Sequence, residues 1–402
     1  MKKIIGAIAM TLAVAACSSG DFLGGEYEYM KDGGYMAAEG GFFDGGSGEG
    51  EEGQQAGEAG VITAAEWNDL LNWSFWGGLM TGEYSTYNTY WGMNTAKRIP
   101  VEIVDPAGNP NICAPISLVH NGKVLWEAKT DSQGQANLWL AVDDVQSTVQ
   151  AADCTIMIGE YPAVGEPLKV YDWTSVEPVV NKLTSVTYSA VPLAMAQIAF
   201  IVDATGSMMD EIDFLKKDLK DILEKAGEIN DIKLYTGTVF YRDTDDEYLT
   251  RTSPFTDKVE ETIAFISRQT ADGGGDLPEA VHTALEVTLK ELQWSNGAYS
   301  SMAFMLLDAP AHVDHTGVIE SIQKSIRSFA AKGIKLIPVF CSSGDKTCEF
   351  MCRQMAILTG GTYVFLTNDS GIGGEHVEAS VGEYQVEHLN ALILRLITKY
   401  IQ

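Results

Sequence analysis

Basic residues are scarce in this chain of 402 residues. Lys and Arg number 27 against 55 Asp and Glu, and the formal net charge is −28. A nucleic-acid partner would require a basic face that releases counterions from phosphates, and no cluster of Lys or Arg occurs. The composition therefore excludes nucleic acid as a partner. A Gly-x-Ser-x-Gly elbow, a Walker A loop and a zinc-protease helix are also absent, so we expect a protein that is not an enzyme.

Long apolar runs are absent beyond the N-terminus. The run Ile4–Ala16 follows Lys2 and Lys3, is too short to span a bilayer, and has the form of a secretory signal. Its end, Val14-Ala15-Ala16-Cys17, resembles the lipobox of bacterial lipoproteins. The resemblance implies that residues 1–17 carry the signal and that Cys17 becomes a lipid-modified first residue, although an ordinary signal with an incidental cysteine is the alternative. We expect a lipid-anchored protein of the bacterial cell envelope, with Ser18 favouring the outer membrane, on its periplasmic or surface face.

Cysteines are few, and none is arranged as Cys-x-x-Cys, the spacing typical of structural zinc sites. Export would permit disulfides. Cys113 and Cys154 fall in one predicted domain and are the candidate pair. Cys348 and Cys352 lie four residues apart on a predicted helix, which is a poor geometry for a disulfide, and their pairing with Cys341 stays open.

Aliphatic residues are nearly absent from residues 18–60, which are rich in Gly and Glu, so we predict a disordered tether. Residues 61–97 are predicted to be a Trp-rich helical segment that begins at a capping box formed by Thr63 and Glu66. Its clustered Trp side chains are expected to dock against the next domain. The alternative is an aromatic platform for peptides or glycans.

Short alternating runs with turn residues characterise residues 98–192. The pair Asn121-Gly122 is a strong hairpin signal, and the pattern predicts a small β-sandwich. Val104-Asp105 with Gly108, and Thr130-Asp131 with Gly134, resemble carboxypeptidase-regulatory-like or transthyretin-like domains. Such a resemblance implies a spacer or an adhesive module.

Strand and helix patterns alternate through residues 193–402. Continuous apolar runs indicate strands buried on both faces, and runs with apolar spacings of three and four indicate helices between them. We predict a doubly wound, Rossmann-like α/β domain. The predicted strands are Ile198–Val202, Ile232–Phe240, Ser301–Leu307, Ile334–Phe340 and Thr362–Leu366.

Oxygen-bearing side chains follow two of these strands. The first strand runs into Asp203-Ala204-Thr205-Gly206-Ser207, and Asp308 follows a later strand. Ligands of open α/β sheets bind outside the carboxyl ends of the strands, and oxygen ligands suit Mg²⁺ or another hard cation. The pattern predicts a divalent-metal site, with helix capping by Ser207 as the simpler alternative.

These motifs resemble those of von Willebrand factor A (vWA) domains. Asp203-Ala204-Thr205-Gly206-Ser207 resembles the first segment of the metal-ion-dependent adhesion site, with Thr205 where Ser is usual. Asp308-Ala309-Pro310-Ala311-His312 resembles the third segment in the form found in alpha-kinase vWA domains. Gly273-Gly274-Gly275-Asp276 resembles the second segment, which usually presents a Thr. Further motifs, including Tyr241-Arg242-Asp243, resemble vWA lipoproteins of Bacteroidota.

The vWA resemblance implies a ligand set of Asp203, Thr205, Ser207, Asp276 and Asp308 around Mg²⁺, or Mn²⁺ or Ca²⁺. It also implies that the ion accepts an acidic residue of a partner protein. Tyr241, Arg242, Asp243 and His312 are expected at the rim of the site. The alternatives are a structural envelope spacer whose vWA domain binds no metal and, from His312 and His315, a transition-metal site without an obvious third ligand.

Overall fold

The computed structural model of the chain describes residues 60–402 apart from 145, 176, 230, 276, 342–343 and 371–377. The predicted signal and Cys17 lie outside the described residues, as does nearly all of the predicted tether. So does Asp276. Among the helices that are described, none combines the length and apolar character needed to cross a bilayer.

The described elements fall into three stretches of the chain. The first contains β1 (Thr63–Trp67), α1 (Trp73–Thr81) and α2 (Ser85–Trp91). The second contains β2 (Arg98–Val104), β3 (Pro115–His120), β4 (Lys123–Lys129), β5 (Gln135–Trp139), β6 (Thr155–Ile158), β7 (Tyr161–Pro162), β8 (Val164–Gly165) and β9 (Asn181–Thr184). The third contains β10 (Leu193–Asp203), α3 (Met209–Gly227), β11 (Lys233–Tyr241), β12 (Thr250–Thr256), α4 (Val259–Ile266), α5 (Val281–Glu291), β13 (Ala298–Leu307), α6 (Val318–Lys332), β14 (Ile334–Phe340), α7 (Lys346–Thr359), β15 (Tyr363–Leu366), β16 (Glu387–His388) and α8 (Leu389–Ile401).

An eight-stranded mixed sheet forms the centre of the third stretch. Its strand order is β12-β11-β10-β13-β14-β15-β1-β16. The five central strands, β11, β10, β13, β14 and β15, run parallel to one another. β12 pairs antiparallel with β11 at one side, and β1 pairs antiparallel with β15 at the other. The predicted α/β fold is thus confirmed, and its five predicted strands correspond to these five parallel strands.

Apolar side chains cover both faces of this sheet. Along β10, Phe200 and Val202 pack into one cluster together with residues of α3 and α8. Ala199 and Ile201 pack on the other face, in a cluster that also includes residues of α5 and α6. This alternation explains why the strand reads as a continuous apolar run, since neither face meets water.

The segment that begins at Thr63 is a strand and not the predicted helix. β1 pairs antiparallel with β15, with Ala65 opposite Phe365, and so adds a strand to the central sheet. The Glu66 carboxylate accepts a hydrogen bond from Thr362 rather than closing a capping box. A local capping pattern is worth little against the full ladder of backbone hydrogen bonds that a neighbouring strand offers. The predicted helical segment of residues 61–97 is therefore wrong at its start.

The helices that follow β1 bury part of their aromatic content. Trp73 and Trp76 are buried, and the Trp76 ring stacks on Phe350 of α7 at 6.1 Å between centroids. Trp73 Nε1 donates to the Tyr171 carbonyl of the second stretch, at 2.9 Å. These Trp side chains join the parts of the fold and do not form an exposed platform.

Two four-stranded sheets form the second stretch, with orders β5-β2-β9-β8 and β4-β3-β6-β7. The hairpin at Asn121-Gly122 joins β3 to β4 as predicted. Residues from both sheets belong to the same apolar cluster as α5 and α6. The resemblance to carboxypeptidase-regulatory-like domains stays a prediction.

The predicted Cys113–Cys154 disulfide is wrong, and both thiols are free. Thr155 pairs with Val119 near the C-terminal end of β3, so Cys154 lies close to that end of the strand. Cys113 lies at the opposite end, two residues before Pro115, the first residue of β3. At about 3.4 Å per residue, the intervening strand separates the two Cα atoms by roughly 20 Å, against a limit of roughly 7 Å for a disulfide.

Candidate metal-binding site

Two neighbouring parallel strands deliver the predicted acidic residues to one edge of the sheet. β10 pairs with β13 so that Val202 lies opposite Leu306. Asp203, the last residue of β10, and Asp308, the first residue after β13, therefore leave the sheet side by side. This is the position at which α/β sheets bind ligands.

The loop after β10 holds the Asp203 carboxylate by one oxygen only. Thr205 donates to Asp203 Oδ1 from both its backbone N–H, at 2.9 Å, and its hydroxyl, at 2.7 Å. Asp203 is fully buried, and its Oδ2 has no hydrogen-bond partner. Because the Thr205 proton goes to Asp203, the lone pairs of its hydroxyl oxygen stay available to a cation.

Asp308 presents the same arrangement from the neighbouring strand. It is buried, and its Oδ1 has no hydrogen-bond partner. Burial raises the pKa of Asp308, and a hydrogen bond with the Ser207 side chain opposes that rise. Ser207 itself is exposed on the loop between β10 and α3. Four predicted ligands, Asp203, Thr205, Ser207 and Asp308, thus meet at one place.

Glu279 is a third buried carboxylate at this site, and it is not among the predicted ligands. Its backbone N–H donates to the Pro310 carbonyl at 2.9 Å, which fixes it beside the loop after β13. Glu279 is 2 % exposed, and its Oε2 has no hydrogen-bond partner. Glu279 follows the Gly-rich motif by three residues, and whether Asp276 contributes a ligand stays a prediction, because Asp276 lies outside the described residues.

A close backbone approach brings Glu279 to the loop that carries Thr205. Gly274 has a φ of +77°, and a methyl group there would lie 3.3 Å from Glu279 Oε1 and 3.1 Å from Thr205 Cβ. The Gly273 carbonyl also accepts a hydrogen bond from the Gly206 N–H at 3.2 Å. Glycine is required here because a side chain at this positive φ would be strained and would crowd the two groups apart.

The charge of Asp308 disfavours the charged form of Asp203, and the charges of both disfavour the charged form of Glu279. Burial, followed by the charge of Asp308, raises the pKa of Asp203 to about 7. Burial, followed by the charges of Asp203, Asp243, Asp246 and Asp308, raises the pKa of Glu279 to about 9. A bound dication would reverse this effect, because it would stabilise the charged carboxylates that burial and mutual repulsion disfavour.

The predicted rim residues divide into two kinds. Tyr241 and Arg242 are buried and do not line an open rim. The Arg242 guanidinium donates to two backbone carbonyls, Ala204 at 3.0 Å and Thr270 at 2.8 Å, and so fastens the loop after β10. Tyr241 ends β11 and Arg242 follows it, so both lie at the predicted edge of the sheet, but burial removes them from the surface.

Asp243 and His312 form a buried pair next to the carboxylate site. Asp243 Oδ1 lies 2.8 Å from His312 Nε2. A carboxylate can only accept, so this contact places a proton on Nε2 of the ring. The pair lies beside Asp203 and its partners without adding another unpartnered carboxylate oxygen to them.

The donor set fits a hard divalent cation. Asp203, Glu279 and Asp308 each leave a buried oxygen without a hydrogen-bond partner, and unpartnered buried carboxylate oxygens are costly unless a cation is bound. Two hydroxyls complete an all-oxygen environment, which Mg²⁺, Mn²⁺ and Ca²⁺ prefer to nitrogen or sulfur ligands.

Comparison with known proteins agrees with this architecture. The family model described as von Willebrand factor A domain matches residues 197–369. A putative ariadne-like RING finger protein, R811, of Acanthamoeba polyphaga mimivirus is 32% identical over 189 residues, which cover 43% of this chain and 18% of that protein. The alpha-protein kinase vwkA of Dictyostelium discoideum is 29% identical over 137 residues, which cover 33% and 21%. The chain thus spans about a fifth of the length of these curated relatives.

Two solved structures are also similar at low identity. A von Willebrand factor type A protein from Catenulispora acidiphila is 14% identical, with a TM-score of 0.35, and the match covers 52% of this chain and 43% of that one. Proximal thread matrix protein 1 from the mussel byssus is 14% identical, with a TM-score of 0.31 and coverage of 41% and 38%. The family match shows that residues 197–369 are similar to a von Willebrand factor A domain.

Proposed function

We propose that this protein is a membrane-anchored, extracytoplasmic module that binds another protein through a divalent cation held at the carboxyl edge of its vWA sheet. The observation that carries the proposal is the set of three buried carboxylates, each with an oxygen that lacks a hydrogen-bond partner. Asp203, Glu279 and Asp308 would bind Mg²⁺, Mn²⁺ or Ca²⁺, and the hydroxyls of Thr205 and Ser207 would complete the ligand set.

The partner is proposed to present an acidic side chain to this cation. A dication attracts a carboxylate that the net charge of −28 would otherwise repel. Once an ion is bound, Glu279 would be a third anionic ligand, so the partner's carboxylate would have to compete with Glu279 for the ion. The proposal includes no catalytic role for any of these residues.

The anchor is proposed to be the acylated Cys17, at the outer membrane. The sequence Val14-Ala15-Ala16-Cys17 supports it. Cys17→Ala is expected to abolish incorporation of labelled fatty acid and to release the protein from the membrane fraction. Full membrane retention of the variant without acyl label would contradict the anchor.

The decisive experiment is calorimetric titration of the chelator-washed, full-length protein with Mg²⁺, Mn²⁺ and Ca²⁺. We expect saturable binding of one of these ions, lost in Asp203→Asn and retained in the control Asp221→Asn. Asp221 is exposed and paired with Lys225 on α3, so its substitution tests for a general loss of negative charge. If wild-type protein binds none of the ions, the alternative of a metal-free envelope spacer replaces the proposal.

Partner binding is tested separately with the same pair of variants. Immobilised wild-type protein is expected to retain its partner with the cation present and to release it in chelator, and Asp203→Asn is expected to retain none. Equal retention by both proteins in chelator would show that binding does not use the cation.

A further inference from the structure

A second cluster of metal-ligating side chains lies in the loop between β13 and α6. The ligand atoms of His312, Asp314 and His315 all lie within 4.8 Å of one another. The two imidazole rings stack with their centroids 4.5 Å apart and their planes at 4°. A turn in which the His315 N–H donates to the His312 carbonyl, at 3.0 Å, holds the two rings on the same side of the loop.

The contact with Asp243 leaves one ring nitrogen of His312 free to bind an ion. Since Nε2 donates to Asp243 Oδ1, the neutral ring has its lone pair on Nδ1. A carboxylate behind the imidazole is the usual device that orients a metal-binding histidine and fixes its tautomer. Asp243 is itself held, because its backbone N–H donates to Asp246 at 3.1 Å.

A third histidine stands near this cluster. His282 of α5 has a buried Nδ1 without a hydrogen-bond partner. Burial lowers the pKa of His282, and the neighbouring His312 and His315 act in the same direction. Three of the six histidines of the chain therefore gather at one place.

We propose that His312 Nδ1, Asp314 and His315 bind a transition-metal ion of the Zn²⁺ class at a site distinct from the carboxylate site. Two nitrogen donors with one carboxylate suit Zn²⁺, Co²⁺ or Ni²⁺, whereas the all-oxygen site suits a harder ion. Asp314 and His315 are exposed, so three protein ligands leave a coordination position open to water or to an outside ligand.

The test is a titration of the chelator-washed, full-length protein, purified without a histidine tag, with Zn²⁺ alone. One ion is expected to bind, with affinity reduced about tenfold or more in His315→Ala, the size of effect seen when a zinc site loses supporting groups. His120→Ala, at the β3–β4 hairpin, is the matched control and is expected to bind as wild type does. Asp203→Asn is expected to retain the Zn²⁺ site.

Co²⁺ gives a second measurement that does not depend on stability. Its ligand-field absorption reports nitrogen ligation, and we expect it to change in His315→Ala but not in Asp203→Asn. The proposal is overturned if Zn²⁺ does not bind at micromolar concentration, if His315→Ala binds it as tightly as wild type, or if Asp203→Asn abolishes it. Each of these results leaves the test of the carboxylate site with Mg²⁺ unaffected.

Discussion

Asp203, Glu279 and Asp308 hold three carboxyl groups in a buried space, and this crowding opposes folding in the absence of a cation. The same crowding favours a bound dication, since charge and donor number set the affinity of an oxygen site. Stability without metal and affinity for metal should therefore respond in opposite directions when one carboxylate is neutralised.

Glu279→Gln tests this opposition at a single residue. In chelator at pH 7 we expect the variant to be more stable than wild type, by on the order of 1 kcal/mol, because Glu279, with its raised pKa, must take up a proton on folding whereas Gln is already neutral. Its affinity for the cation is expected to fall at least about tenfold, which corresponds to roughly 1.4 kcal/mol. Thermal unfolding with and without the ion measures the first effect and calorimetry the second.

Glu291→Gln is the control for this experiment, because Glu291 is exposed at the end of α5. This substitution should change neither the stability in chelator nor the affinity for the cation. If Glu279→Gln instead lowers stability in chelator, Glu279 has a structural role and the crowding argument is wrong.

Among the structural elements, α7 is tied to the segment after β1 by a buried ion pair. Arg353 Nε donates to Asp69 Oδ2 at 2.9 Å, and both side chains are buried. Glu349 and the aromatic rings of Trp76 and Tyr84 surround the same guanidinium. Removing Asp69 would leave the buried guanidinium with Glu349, at 3.4 Å, as its remaining carboxylate partner, and would remove the closer of the two ion pairs.

Asp69→Ala is therefore expected to lower the free energy of unfolding by about 3–5 kcal/mol. Urea unfolding measures it. Asp143→Ala is the matched control, since Asp143 pairs with Arg327 at the surface and should contribute at most about 1 kcal/mol. Similar losses in the two variants would contradict the buried-charge explanation.

β1 is tied to α8 by charges that respond to pH. Arg395 lies 2.8 Å and Lys399 3.2 Å from the Glu66 carboxylate. Burial by itself raises the pKa of Glu66, but the hydrogen bond from Arg395 and the charge of Lys399 outweigh it and hold the pKa below its ordinary value of 4.5. A carboxylate whose pKa is lowered by folding stabilises the fold at pH values above its pKa in the unfolded chain. This contribution is lost as the pH falls through its pKa in the folded protein.

Glu66→Gln should consequently be less stable than wild type at pH 7, by on the order of 1 kcal/mol. This difference should be constant down to the ordinary pKa and disappear as the pH falls further. Urea unfolding from pH 7 to pH 3 measures it. A difference that grows toward low pH would give the opposite sign and contradict the ion-pair assignment.

The whole molecule is organised differently from its sequence order. β1 precedes the two small sheets along the chain, yet it completes the large sheet between β15 and β16. The large sheet is therefore built from two separate segments of the chain, and β1 lies outside the predicted domain of residues 193–402.

A protein consisting of residues 193–402 tests this organisation. It would expose the edge of β15 and leave Arg353 without Asp69, so we expect a lower urea midpoint and more aggregation than for residues 60–402. Sedimentation and urea unfolding compare the two. Equal stability and solubility would indicate that β1 is dispensable for the sheet.

Patterns within short stretches predicted much of this molecule. The apolar run Ile198–Val202 predicted a strand buried on both faces, and Asp203 and Asp308 after their strands predicted where the acidic residues meet. The hairpin at Asn121-Gly122 was equally clear, because a turn of this kind depends on its own residues. In each case the determining interactions lie within a few residues of one another.

Glu279 and the free thiols of Cys113 and Cys154 could not be predicted in this way. Glu279 is recognisable as a site residue only when the fold brings it, at Gly274, against Thr205. The two cysteines are recognisable as unpaired only when the β3–β6 register places them at opposite ends of a strand.

The sequence by itself determined the alternation of strands and helices and the edge at which the acidic loops gather, since apolar periodicity and strand ends are local properties. Only the tertiary structure decided that Thr63–Trp67 is a strand, that Glu279 joins Asp203 and Asp308, and that His312 and His315 share a loop face with Asp314. These outcomes depend on pairing and burial between residues far apart in the chain, where long-range hydrogen bonds and desolvation outweigh local preference.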